Sequence, residues 1–264
     1  MCIVIHKRAG VELPDYATLQ RCWDNNSDGA GFCFARNGIV QGYKGYMNFD
    51  NFMDALMMRA SDDDAMLIHF RIATHGGVTR QGTHPFPLSS NKRALNALEW
   101  VSDVGVAHNG IVMGFGVSNY GNAIEGMSDT QEFISEVLNA PSIRAGLFDD
   151  PAVKYLVSEA TTSKWAFMDA TGKTVLFGKW YKDNGLWYSN EGYLSGRKYS
   201  KWYRSAKSTG ASNMHQSWEA TSRDYAPPDC PALNNKSSQE VCRTCQFFDS
   251  DRNFCDVFEE EIIF

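Results

Sequence analysis

The sequence predicts a layered α+β fold followed by a short cysteine-rich tail, and three features of the 264 residues carry that expectation. Strand-like and helix-like patterns arrive in clusters instead of alternating strictly, which disfavours a doubly wound parallel sheet. Apolar runs joined by Asn37-Gly38 and by Thr171-Gly172 have the form of hairpins. Beyond about residue 192 the regular patterns give way to Ser, Gly, Lys and aromatic residues, and Pro227-Pro228 opens a segment rich in cysteine.

In chain order, residues 2–6 are β-branched and apolar, the character of a buried strand that would hold the N-terminus inside a sheet. The polar run 25–29 reads as a turn, residues 30–35 as a strand, and 39–46 as its hairpin partner. Asn48 is an N-cap for a helix in which Phe49, Phe52, Met53, Leu56 and Met57 recur at helical spacing. Residues 65–73 form a strand running into Thr74-His75-Gly76-Gly77, and residues 101–108 form a strand ending at Asn109-Gly110. Ser128 and Gln131 have capping-box spacing, with Phe133, Ile134, Val137 and Leu138 as the buried face of the helix that follows. A short helix near 151–159, a hairpin of 164–169 with 173–180, and a strand at 186–189 complete the pattern.

The net charge of −6 argues against general nucleic-acid binding, which depends on clustered Lys and Arg to neutralise phosphates. A local exception, Arg197, Lys198, Lys201, Arg204 and Lys207 interleaved with Tyr199, Trp202 and Tyr203, reads mainly as a solvated linker over 193–228. No apolar run approaches the ~20 residues of a membrane helix, and the first residues lack the order of a secretory signal, so a cytoplasmic protein without membrane partners is expected. Seven cysteines in a reducing compartment point away from a disulfide framework and towards reactive or metal-binding roles. Cys230, Cys242, Cys245 and Cys255 are spaced C-x11-C-x2-C-x9-C within residues 229–264. Structural zinc, an iron-sulfur cluster and unliganded thiols are all consistent with that set.

Singly, each candidate for chemistry has a plain structural explanation. Cys2 is also a small apolar residue, Asn109-Gly110 a turn, and Asp129 a favourable charge at a helix N-terminus. Their order is more telling. Cys2, Arg71-Ile72-Ala73-Thr74-His75-Gly76, His84-Pro85-Phe86, His108-Asn109-Gly110 and Ser128-Asp129-Thr130 together resemble the glutaminase domain of class II glutamine amidotransferases, a family of N-terminal-nucleophile hydrolases. The resemblance spans residues 1–192 and includes the Asp-Gly-Ala-Gly turn and Trp187-Tyr188-Ser189-Asn190. It implies a four-layer αββα sandwich of two mainly antiparallel sheets.

The resemblance also implies roles. Removal of Met1 would leave Cys2 with a thiol nucleophile and a free α-amine as base, and glutamine would pass through a thioester to glutamate and ammonia. Asn109 and the Gly110 N–H would form the oxyanion hole. Arg71 would take the substrate carboxylate and Asp129 its α-amine, with Thr74, His75 and Gly76 lining the pocket and His84 in a loop ordering over it. That chemistry requires no cofactor. The chain has no room for a synthase domain, so the ammonia would go to a separate synthase partner. Hydrolysis of another γ-glutamyl amide is an alternative, as is a catalytically retired fold that binds protein or nucleic acid. Ile3 and Val4 after the nucleophile depart from the glycine common at the first of these positions in the family.

Overall fold

A computed structural model describes residues 2–73, 77–115, 127–161 and 163–194, together with three short strands of the C-terminal segment. The chain divides into two compact units, Met1–Arg204 and Ser205–Phe264. In the first, β1 (Ile3–Lys7), α1 (Tyr16–Asn25), β2 (Ala30–Arg36), β3 (Ile39–Tyr46), α2 (Phe49–Arg59) and β4 (Ala65–Phe70) come in sequence. They are followed by β5 (Phe86–Pro87), α3 (Lys92–Asn96), β6 (Glu99–Ser102) and β7 (Val104–Asn109). Then α4 (Asp129–Phe133) runs into a π-helical turn at Ile134–Leu138, and α5 (Pro141–Gly146) and α6 (Pro151–Ala160) precede β8 (Lys164–Asp169), β9 (Thr174–Phe177), β10 (Tyr181–Asp183) and β11 (Leu186–Tyr188).

Two antiparallel sheets result, of order β10-β11-β1-β4-β2-β3-β6 and β5-β7-β8-β9, and with the helices they make an α+β fold compatible with a sandwich. Strand periodicity explains how each face is used. Ile3, Ile5, Phe32, Phe34, Met66, Ile68 and Phe70 form one core with Leu19 and Cys22 of α1 and Phe49, Phe52 and Leu56 of α2. The alternating residues Val4, Cys33, Val40 and Leu67 instead meet Ala107, Ala166 and Met168 of the smaller sheet. The opposite side of that sheet, with Val104, Val106, Trp165 and Phe167, packs on Phe133, Ile134, Leu138, Leu147 and Val157.

Three differences from the sequence expectation have physical reasons. The strand expected over 101–108 is two strands in different sheets, since β6 pairs with β3 whereas β7 pairs with β5 and β8. Gly105 makes the close approach possible, because a Cβ there would lie 2.9 Å from Cys33 Sγ and 3.3 Å from the Trp100 ring. The strand expected over 65–73 stops at Phe70, where the chain passes from ladder pairing to bonds with the 28–29 turn. Helix α1, with Asp15 as its cap accepting from Thr18 N at 2.6 Å, falls where no helix was expected.

The second unit is described by β12 (Phe248–Asp249), β13 (Phe254–Cys255) and β14 (Glu260–Glu261), an antiparallel three-stranded sheet. The basic aromatic stretch and Cys230, Cys242 and Cys245 lie outside the described residues, and of Cys255 only the strand backbone is described, so the metal-ligand expectation for the four falls outside them. Among the described residues no helix is long and apolar enough to cross a membrane.

Candidate active site

Strand β1 sits between β11 and β4, and its pairing Ile3↔Phe70 brings Cys2 alongside the residues that follow β4. The half-buried Cys2 thiol lies 3.4 Å from both the Ile72 N–H, which donates to it, and the Ile72 carbonyl, which accepts from it. Burial raises its pKa, opposed by the Ile72 contact and the Arg71 charge, so near neutral pH the sulfur keeps its proton unless a base removes it. The Cys2 carbonyl accepts from Asn190 Nδ2 at 2.7 Å, which fixes the backbone of the residue.

Asn109 ends β7 on the neighbouring sheet and is buried. Its Nδ2 donates to Ser189 Oγ at 3.0 Å, and the same hydroxyl oxygen accepts from Val4 N at 2.8 Å. One serine thus joins β1 to the tip of β7. The Asn109 Oδ1 is buried without a hydrogen-bond partner among the described residues, an uncommon state for a side-chain amide. Gly110 follows with an exposed backbone, and no other residue fits there, as a Cβ would come within 2.1 Å of Ser163 Oγ.

Asp129, first residue of α4, accepts from Val112 N on Oδ2 at 2.8 Å and from Thr130 N on Oδ1 at 2.7 Å. The expected capping box is present, with Ser128 accepting from Gln131 N and Gln131 Oε1 accepting from Ser128 N. Asp129 is therefore held by its helix and in turn holds the chain just past Gly110. A carboxylate has about four acceptor positions, so two backbone bonds leave room for an ammonium.

Arg71 is braced by the 26–29 turn: its N–H donates to Gly29 O and its carbonyl accepts from Asp28 N, both at 2.8 Å, while Asp28 Oδ2 accepts from Ala73 N at 2.9 Å. Arg71 is 8% exposed, and its guanidinium donates through both Nη atoms to Gly77 O at 3.2 Å. The ion pairs among the described residues are Arg36–Asp64, Arg59–Glu99, Arg144–Asp103 and Lys173–Asp149, none of which involves Arg71. A buried guanidinium without a carboxylate is costly unless an anion arrives to match it. Thr74, His75 and Gly76 lie outside the described residues.

Next to Arg71 lies a buried histidine cluster. His69 and His84 have ring centroids 4.3 Å apart, and His84 and His108 6.3 Å. His69 Nε2 is 3.1 Å from the His108 carbonyl, which can only accept, so in the neutral ring Nδ1 is unprotonated. His108 Nδ1 meets Thr130 Oγ1 at 2.8 Å and its ring stacks on Trp165 at 3.9 Å. His69 Nδ1, His108 Nε2 and both nitrogens of His84 have no hydrogen-bond partner among the described residues. Lys44 is buried too, donating to Gln81 O at 2.7 Å and Leu95 O at 2.8 Å over the Phe86 ring.

Burial pushes the pKa of His69 and His108 down to about 3, with His69 adding to the effect on His108, and holds His84 well below the ordinary range. Unfolding would return each imidazole to about 6.5. Between those values the unfolded chain binds more protons, so this contribution is complete above about pH 6.5 and lost as pH falls, by about 1.4 kcal/mol per pH unit for each ring. The thermal unfolding midpoint should drop steeply between about pH 6 and pH 4. A midpoint flat across that window would mean that the rings are charged or hydrated in the folded protein.

The structure thus gathers Cys2 and Arg71 at one end of the larger sheet, links Asn109 to them through Ser189, and ties Asp129 to the loop after Gly110. His84 lies in the cluster beside Arg71. Sequence reasoning assigned no role to Ser189, Asn190, Asp28 or Lys44. For the first two a signal was present, a polar Ser-Asn pair directly after a buried strand. Compared with known proteins, the chain matches no family model and no curated sequence at a significant level.

Proposed function

We propose that this chain is a glutaminase of the class II amidotransferase type, with the four-layer αββα arrangement of N-terminal-nucleophile hydrolases. The observation that carries the reading is the company Cys2 keeps. It is the second residue of the chain, bonded through sulfur to the segment that bears a buried Arg71 with no carboxylate partner among the described residues, and joined through β1 and Ser189 to an asparagine whose buried Oδ1 has no hydrogen-bond partner among them.

In this reading Met1 is removed and the α-amine of Cys2, with a reference pKa of about 7.7 to 8.0, takes the thiol proton. Sulfur attacks the side-chain carbonyl of glutamine, and the oxyanion is met by the Asn109 amide and the Gly110 N–H. The C–N bond breaks as the amine returns the proton to the leaving nitrogen, releasing ammonia. Water then attacks the thioester, the C–S bond breaks, and glutamate leaves as the thiol is restored. Arg71 holds the α-carboxylate and Asp129 the α-amine, with Thr74, His75, Gly76 and His84 forming the pocket around them.

The direct test is incubation of processed protein with glutamine and measurement of glutamate and ammonia, and no release above background would end the reading. One observation favours a second substrate class, because Asp129 already accepts two backbone N–H bonds and a free α-amine is not required to satisfy it. Faster turnover of a γ-glutamyl amide with a blocked α-amine would select that alternative. Cytoplasmic location, an ammonia-accepting synthase partner and structural zinc on the tail cysteines belong to the same proposal. Ammonia release that rises on adding the partner, and metal analysis of the full chain, would test the latter two.

Arg71→Ala should raise KM for glutamine about 10²-fold or more with a smaller change in kcat, since truncating one side of a buried charge pair removes binding made in ground and transition states alike. An unchanged KM would place the substrate carboxylate elsewhere.

A further inference from the structure

We infer that Ser189 is the positioning residue that aims the Asn109 amide at the oxyanion, by clamping it to the strand that directly follows the nucleophile. The inference rests on the reading of Cys2 and Asn109 given above.

The ladder between β1 and β11 shows why Ser189 is unusual. Its N–H donates to Val4 O at 2.9 Å in ordinary antiparallel fashion, but the return bond from Val4 N goes to the Ser189 hydroxyl, 2.8 Å away. A side chain has replaced the backbone carbonyl in the ladder. The second polar contact of that oxygen is Asn109 Nδ2 at 3.0 Å, and Ser189 is fully buried, so water does not compete for either.

A hydroxyl has one proton and two acceptor positions, whereas an amide has a donor end and an acceptor end. With Val4 N–H on one acceptor position, Ser189 can accept from Nδ2, leaving the second Nδ2 proton to the reaction. It can equally donate to Oδ1 after a half-turn of the amide, which frees the whole NH2 group. Either way the oxygen of Ser189 sets where the amide lies and leaves an N–H for a developing negative charge. An alanine at 189 can do neither, and it deprives Val4 N of its acceptor. Because Cys2 directly precedes β1 and Val4 lies two residues on, the clamp fixes oxyanion donor and nucleophile to one reference point.

A displacement of about 1 Å at a reacting group can cost about 10²-fold, and loss of one oxyanion donor about 10² to 10³-fold. Ser189→Ala should therefore lower kcat about 10 to 100-fold with KM for glutamine little changed. Alkylation of Cys2 by iodoacetamide, followed by the mass of the N-terminal peptide, displaces iodide at a saturated carbon and develops no oxyanion, so its rate should be unchanged. Asn109→Ala and the Asn109→Ala/Ser189→Ala double variant should have equal kcat, because the serine has nothing left to aim.

The inference is overturned if Ser189→Ala keeps the native kcat, if alkylation slows in parallel with turnover, or if the two substitutions add. Native protein that alkylates at Cys2 but releases no ammonia would instead strike the proposed function, a result separable from the first three. Should Ser189→Ala not fold, Ser189→Cys carries the same test, since a thiol accepts weakly and should give a kcat between native and Asn109→Ala. A native kcat in that variant overturns the clamp.

Discussion

Cys2→Ala is expected to end glutamine turnover, with a loss of about 10⁴-fold or more in kcat measured by ammonia release, the scale on which removal of a covalent nucleophile acts. The fold should survive. Cys2 lies just before β1, is half-buried, and among the described residues its side chain makes only the pair of 3.4 Å sulfur contacts with Ile72, so the strand's own ladder with β4 and β11 is untouched. Asn190 holds the Cys2 backbone carbonyl, which the substitution keeps. An unfolding midpoint near that of the native protein, with no ammonia released, is the expected pair of results. Activity retained by the alanine variant would require another nucleophile, and the other described cysteines are poor candidates. Cys22 and Cys33 are fully buried, with burial pushing the Cys22 thiol up to about 12 and the Cys33 thiol higher still. Thiols so desolvated remain protonated and out of reach of substrate.

The contrast among these three cysteines shows how much of the site could be read from sequence. Periodicity reports which side of a strand or helix a residue faces, and it placed β2, β3, α2 and the helix after Ser128 because their apolar spacing is regular. It does not report what lies opposite that face. The run 101–108 reads as one strand, yet Asp103 separates β6 from β7 and the two enter different sheets, with Gly105 allowing close packing against Cys33 and Trp100. The site has the same limit. Cys2, Arg71, Asn109, Gly110 and Asp129 are nameable from the order of their motifs, through the resemblance that order carries, and not from any one of them alone. That Ser189 bridges β1 and β7, that Asp28 braces the chain after Arg71, and that Lys44 is spent on Gln81 and Leu95 carbonyls are consequences of packing between segments far apart in sequence. The Ser-Asn pair after a buried strand marks a place and not a partner, and a lysine with such a role has no local signature.

Keeping Met1 in place should be nearly as damaging as losing the thiol. Insertion of lysine between Met1 and Cys2 puts a large side chain where enzymatic removal of an initiator methionine is expected to need a small one, and it converts the α-amine of Cys2 into an amide nitrogen. Turnover should fall about 10² to 10⁴-fold, the usual contribution of a general base, while iodoacetamide still reaches the sulfur. The size of the loss follows from the thiol's own environment: burial raises its pKa, so without a base within the residue the sulfur stays protonated at neutral pH. N-terminal mass would establish that the extension is retained, and ammonia release would give the rate. Substantial activity in the extended protein would assign the base to another group, and the histidine cluster offers described alternatives, with both His84 nitrogens and His108 Nε2 buried and without a hydrogen-bond partner among the described residues. Those rings are poor bases near neutrality, because burial holds their pKa far below it, and a side chain that resists a proton so strongly cannot draw one from a thiol whose own pKa is raised. The α-amine needs no such shift, since its ordinary pKa lies close to working pH and its place beside the sulfur is fixed by the covalent geometry of the residue.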